Sequence, residues 1–186
     1  MAAPALTTSA YVLHNLGLAS AFGGSLFGKV ALNPSTKLIS DKTERAKVSN
    51  AAWNGYNVLN AIAIGTTAAT WFFGRTLVSG RSISKDARKL VLAKDVLMGA
   101  TLATGLVNII AGAVLGKKTA KDNLAMESGA QPTADAPASA KTAAALVNTF
   151  GVVNLACMAG VIGVSTWLDN QAMSSSRWTA ISRILP

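Results

Sequence analysis

Few side chains in this 186-residue sequence can ligate, carry a proton or act as nucleophiles, and those few lie in stretches without charge. His14 is the only histidine and Cys157 the only cysteine. Asn15, Asn54, Asn57, Asn60, Asn108, Asn148 and Asn154 share the same charge-free stretches. An imidazole in such surroundings has three uses: axial ligand to haem iron or chlorophyll magnesium, holder of a proton, or hydrogen-bond partner of a carboxamide. A hydrogen-bonded structural histidine is the plainest. A single histidine excludes bis-histidine haem ligation within the chain, and no spacing selects Met98, Met126 or Met158 as a second axial donor. Cys157 has no second cysteine and no neighbour at metal-ligand spacing, so it reads as a small buried hydrophobe.

Asn54, Asn57 and Asn60 recur every three residues, which winds them along one sector of a helix. Carboxamides inside apolar helices either hydrogen-bond between helices or line a polar path or ligand pocket. The candidate polar site is therefore His14, Asn15, Asn57, Asn60, Asn108 and Asn154. Enzyme constellations are missing: there is no Cys/His cluster, no carboxylate within the charge-free runs, and no serine with a histidine in sequence context. Gly23-Gly24 falls inside an apolar run and does not read as a phosphate loop. The chain reads as a non-enzyme.

The elements that position these groups are set by charge. Met1–Gly28, Val48–Gly74, Val96–Gly116 and Thr142–Leu168 contain no charged residue, and all 17 basic and 8 acidic residues fall between and after them. About 20 apolar residues suffice for an α-helix to cross roughly 30 Å of hydrocarbon. The pattern predicts an all-α integral membrane bundle of four transmembrane helices in one domain, at about 9–31, 51–74, 92–116 and 142–168. Asn33-Pro34-Ser35 predicts the end of the first helix. Thr36–Asn50 reads as a basic, helix-permissive extension into the second helix, Ser82–Ser84 as a cap before the third, and Lys85–Leu92 as the first turns of a helix that enters the membrane near Val96. Gly116-Lys117-Lys118 predicts the C-terminus of the third. Residues 127–140 are rich in Ala, Pro, Ser and Gly and predict a flexible loop. The tail, 169–186, has room for a short interfacial helix. Trp53 and Trp71 are 18 positions apart, about 27 Å along a helix, which fits two interfacial aromatic belts.

Small residues let helices approach closely in lipid. Gly17, Gly24 and Gly28 in the first run, Gly65 in the second, Gly112 and Gly116 in the third, and Gly160 and Gly163 in the fourth predict packing faces. Ion-coupled transporters place charged side chains within their membrane helices, and these runs hold none. The first run has no Lys or Arg before Lys29 and is too long for a cleaved signal peptide, so it reads as a retained helix. The net charge of +9 fits anionic lipid headgroups better than nucleic acid, since Arg-rich aromatic patches are missing. Basic residues number 8 and 9 on the two sides of a four-helix topology, so the positive-inside rule gives no orientation beyond both termini sharing a side.

His14-Asn15-Leu16-Gly17 with Gly23 and Gly24, the Thr101–Thr104 run followed by Asn108, Met126-Glu127, and Asn154-Leu155 together resemble the transmembrane protein 205-like family. That family comprises small four-helix membrane proteins built on a domain of unknown function. The resemblance implies the same layout across most of the chain and no biochemical activity. Such proteins tend to carry a histidine early in the fourth helix, where this chain has Val147-Asn148. Any two-histidine site is then lost. The sequence thus leads to a non-catalytic, multi-pass membrane protein that packs against the lipid bilayer, other membrane subunits or its own copies, with no cofactor. Two alternatives are an accessory subunit of a respiratory or photosynthetic complex with a haem or pigment at His14, and a transporter or channel subunit with an asparagine-lined path.

Overall fold

The computed structural model describes residues 2–78 and 85–174. It is mainly helical, 88%, and is built from four helices. These are α1 (Ala2–Phe27), α2 (Lys42–Val78), α3 (Lys85–Asp122) and α4 (Ala138–Ser174). A two-stranded antiparallel hairpin, β1 (Met126–Ser128) and β2 (Gln131–Pro132), joins α3 to α4. α3 and α4 make the most extensive contact, α1 and α2 the next, and the two helical pairs meet each other over far less surface. Two stretches, Arg88–Asp122 and Ala138–Asn170, are long and apolar enough to cross a membrane.

The helices run well beyond the apolar stretches. α2 has 37 residues and α3 has 38, about 56 Å at 1.5 Å per residue. Charge limits the apolar run but not the helix: Lys and Arg are good helix formers, so α2 starts at Lys42 and α3 at Lys85. Nor does the helical path stop at Asn33-Pro34-Ser35, although α1 itself ends at Phe27. A π turn over Gly28–Leu32, in which the Asn33 N–H reaches the Gly28 carbonyl, leads through Asn33–Ser35 into a 3-10 turn that ends at Leu38. The widened turn just before Pro34 relieves the clash a proline ring makes with the carbonyl four residues back. α3 also passes through Gly116. A methyl group there would come within 2.7 Å of Asn50 Oδ1, so the glycine seats α2 against α3 instead of capping. The cap is Asn123, whose φ of 46° lies in the left-handed region just past Asp122. Ser82–Ser84 and the tail beyond residue 174 lie outside the described residues.

Residues 127–140, read as a flexible loop, form an ordered cap instead. Few large apolar side chains are available there, and backbone polar groups carry the contact. The Gly129 N–H donates to the Asn33 carbonyl at 3.1 Å, Ser49 Oγ to the Gly129 carbonyl at 2.8 Å, and Asn148 Nδ2 to the Ala130 carbonyl at 2.9 Å. Lys42 and Arg45 bind Glu127 from outside. Beneath them Ala46, Leu124, Met126, Ala136 and Ala140 form a small core. The main core lies at the opposite half of the bundle and draws on all four helices: Leu18, Ala21, Ala63, Ile64, Ala68, Met98, Met158 and Val161. Tyr11 donates to Asp169, so the start of α1 and the end of α4 share the end away from the hairpin.

Candidate functional site

Two separate polar groupings result. The first surrounds His14, which is buried at 6% exposure. Its Nδ1 lies 3.0 Å from the Thr67 carbonyl and 3.1 Å from Thr70 Oγ1. A carbonyl only accepts, and the Thr70 hydroxyl already donates to the Thr66 carbonyl at 2.7 Å. Nδ1 therefore carries the ring proton. Nε2 is left as an acceptor, and the Lys94 ammonium donates to it at 3.0 Å. Lys94 is itself only 4% exposed and lies 3.9 Å from the centroid of the Trp71 ring. Trp71 in turn donates its indole N–H to Asp95 at 2.9 Å. Imidazole and indole face thus offset part of the desolvation of a buried cation.

Lys94 is the group that sequence reasoning missed, because it lies two residues before the third charge-free run. Its signal was the stripe Met98, Thr101 and Gly105: stepping back one turn from Met98 reaches Lys94. The premise that the helical interior holds no full charge fails here, and with it the sequence argument against ion coupling. The nitrogen of His14 that a haem or pigment metal would take, Nε2, is the one that accepts from Lys94.

The second grouping is a cleft of about 130 Å³ between the two helical pairs, on the hairpin side of the main core. Seven asparagines line it: Asn33 after the π turn, Asn50, Asn57 and Asn60 on α2, Asn108 on α3, and Asn148 and Asn154 on α4. Lys29 is the sole charged residue among the lining residues, and no carboxylate is present. Trp53, Tyr56, Ser25, Ser49 and Thr119 complete the polar and aromatic wall. On α3 the lining runs from Gly105 to Thr119, about 21 Å of helix. At the inner end Asn154 is buried and bridges helices, its Nδ2 reaching the Thr101 carbonyl at 2.8 Å and Thr104 Oγ1 at 2.7 Å. Beyond it the main core closes the way. A second depression outside the hairpin, between Glu127, Gln131 and Lys141, is more open, with exposed and half-buried residues making up most of its wall.

Of the predicted site, Asn57, Asn60, Asn108 and Asn154 converge on this cleft. His14 lies in the other grouping. Asn15 and Asn54 are exposed on outward faces and belong to neither. Asn33 and Asn50 were missed because they lie in or beside charged, turn-like sequence, where a carboxamide is ordinary. Both tryptophans of α2 bond within the protein: Trp53 donates to Asn33 Oδ1 at 2.9 Å, as Trp71 does to Asp95. Some carboxamides are engaged. Asn60 Oδ1 accepts from Tyr56, and Asn148 Nδ2 bonds the hairpin. Asn108 Oδ1 is buried with no hydrogen-bond partner.

The predicted packing glycines divide. A methyl on Gly17 would come within 2.6 Å of the Ala63 carbonyl, one on Gly24 would strike the Tyr56 ring, and one on Gly28 the Trp53 ring. Gly160 seats Leu97 of α3 at 3.0 Å, and Gly116 seats Asn50. Gly65, Gly112 and Gly163 instead face open space, with nothing within 4 Å of an added methyl. Gly112 borders the cleft, while Gly65 and Gly163 are exposed, so none of the three seats a helix of this chain.

No family model matches the chain. No curated protein and no solved structure matches it either. The likeness to the transmembrane protein 205-like family rests on the short motifs alone.

Proposed function

We propose that this chain is a four-span integral membrane protein that binds a small polar molecule in the cleft between its helical pairs, without catalysing a reaction. The observation that carries the binding is the convergence of seven carboxamides, one from the segment after the π turn and six from α2, α3 and α4, on one space, with a buried carbonyl oxygen left unpartnered among the described residues. Packing alone would satisfy such groups against one another, since an unpaired buried polar atom costs about 1–3 kcal/mol.

The membrane setting is supported by the outward faces. Leu16, Val58, Ile62, Leu106, Ile110 and Val152 are large, apolar and exposed, and all four helices carry such residues. In the two stretches long and apolar enough to cross a membrane, only 28% and 17% of the apolar window is buried inside the protein, unlike a core helix of a water-soluble fold. Lipid, partner subunits or further copies would cover this outer surface.

The test begins with membranes washed in alkaline carbonate, where the protein stays in the pellet; release into the wash overturns the four-span reading. Binding is tested by native mass spectrometry from mild detergent together with thermal shift against small-molecule panels. At one hundred times its Kd a ligand adds about 2.7 kcal/mol of stability. A retained or stabilising molecule lost in Asn57→Ala supports the reading; no retained mass and no shift overturns it.

A further inference from the structure

Resting on that reading, we infer that the cleft takes a small neutral polyol, a group of glycerol size with several hydroxyls. Three observations converge. The first is charge. Among the lining residues there is no Asp or Glu to offset a cation, and Lys29 would repel one. The second is the direction of the unengaged hydrogen-bonding groups. Asn108 Oδ1 is buried and lacks a donor. Asn154 commits both of its N–H groups to Thr101 and Thr104, and Asn148 one of its two to Ala130, so Asn154 has only its oxygen to offer and Asn148 its oxygen and one donor. Among the described residues Asn57 has no side-chain hydrogen-bond partner, so it offers both an acceptor and two donors.

A carboxylate or phosphate has acceptors only and leaves Asn108 Oδ1 unpaired. A hydroxyl both donates and accepts, so one chemical group answers every open position. The third observation is shape. A volume near 130 Å³ is comparable to cavities that hold a molecule of about six heavy atoms. The Trp53 and Tyr56 rings line the same space and present apolar surface to the C–H edges of a polyol. The polyol is supplied either free or as the terminal glycerol of a lipid headgroup, whose phosphate then has Lys29 as its only cation in the cleft.

The test is saturation-transfer NMR on the protein in micelles with glycerol, urea, acetate and tetramethylammonium as probes. The expected result is a saturable glycerol signal, weakened at least tenfold in Asn108→Leu and in Asn57→Ala, and unchanged in the outward-facing Asn15→Ala. Asn57 has no hydrogen-bond partner among the described residues, so its variant breaks no hydrogen bond of the fold. Saturation by urea, acetate or tetramethylammonium without glycerol overturns the polyol assignment and leaves the binding function standing. Silence from all four probes, with no mass retained in native spectra, overturns both, the cleft then holding water only. The two sources separate in lipid nanodiscs. Retention of phosphatidylglycerol over phosphatidylcholine, lost in Lys29→Gln, assigns the headgroup; glycerol binding without lipid retention assigns the free polyol.

Discussion

At the scale of single residues, the informative groups are those whose hydrogen-bonding roles have no freedom. His14 is fixed as the Nδ1–H tautomer by a carbonyl that can only accept, and Lys94 donates to the other nitrogen. Removing either partner has unequal consequences. His14→Phe keeps the buried ammonium and takes away its acceptor, which costs about 3 kcal/mol. Lys94→Met removes the charge together with its desolvation and leaves one imidazole nitrogen unpaired, about 1 kcal/mol. Denaturation midpoints of the two purified variants check this order, and equal losses would sink it. Asn108 has the opposite sign. Asn108→Leu deletes an unsatisfied buried carbonyl and raises the stability of the ligand-free protein by about 1 kcal/mol. A variant that is more stable and no longer binds is the pattern of a functional residue held against stability.

At the scale of elements, glycine position separates helix seats from lipid-facing or open sites. Gly24→Ala drives a methyl into the Tyr56 ring and displaces a hydroxyl that donates to the Ala21 carbonyl at 2.7 Å. The expected loss is about 2 kcal/mol, within the range for overpacking. Gly65→Ala meets open space and gains about 0.5–1 kcal/mol from helix propensity. Thermal melts of the pair in one detergent decide the matter. The start of α2 supplies a pH test. The Thr43 hydroxyl, then the backbone N–H groups of Glu44 and Thr43, hold the Asp41 carboxyl below its ordinary value of 3.8. A depressed carboxyl stabilises the folded form above the unfolded value, and this contribution fades as pH falls through the folded one. The protection factors of the Thr43 and Glu44 amides, which remove the intrinsic pH dependence of exchange, are therefore flat from neutral pH down to 3.8 and fall below it; Asp41→Ala abolishes the dependence.

At the scale of the whole molecule, the hairpin cap and the Tyr11–Asp169 contact between the start of α1 and the end of α4 stand at opposite ends. Cysteines placed at Lys37 and Gln131 in a Cys157→Ala background are thus expected to react from one face of sealed vesicles, and one at Asn170 from the other. Labelling of all three from one face contradicts the four-span arrangement. The two polar groupings also lie on either side of a dry core of Met98, Met158, Val161 and Ile64. The asparagine cleft is accordingly a dead end in this conformation and not a through path, which is why binding is the reading with the better support.

The sequence alone determined the number and order of the helices, the start of α3 at Lys85, and the part of the α2 sector that holds Asn57 and Asn60. These follow from local properties, namely runs without charge, a helix-permissive basic segment and three-residue spacing, although Asn54 in the same spacing faces outward. It could not give the other helix ends, since propensity continues through lysines and arginines and packing on Gly116 overrides its capping tendency. Tertiary structure alone decided three things. It folded 127–140 into a cap, because Asn33, Ser49 and Asn148 come from distant parts of the chain to bond its backbone. It drew Lys94 into the bundle, because only the packed helices bring an imidazole and an indole face to the ammonium. It gathered seven asparagines around one cleft, because the two helical pairs meet loosely on that side. Hydrophobic periodicity is written along the chain; which polar groups are left without partners is settled only where the helices meet.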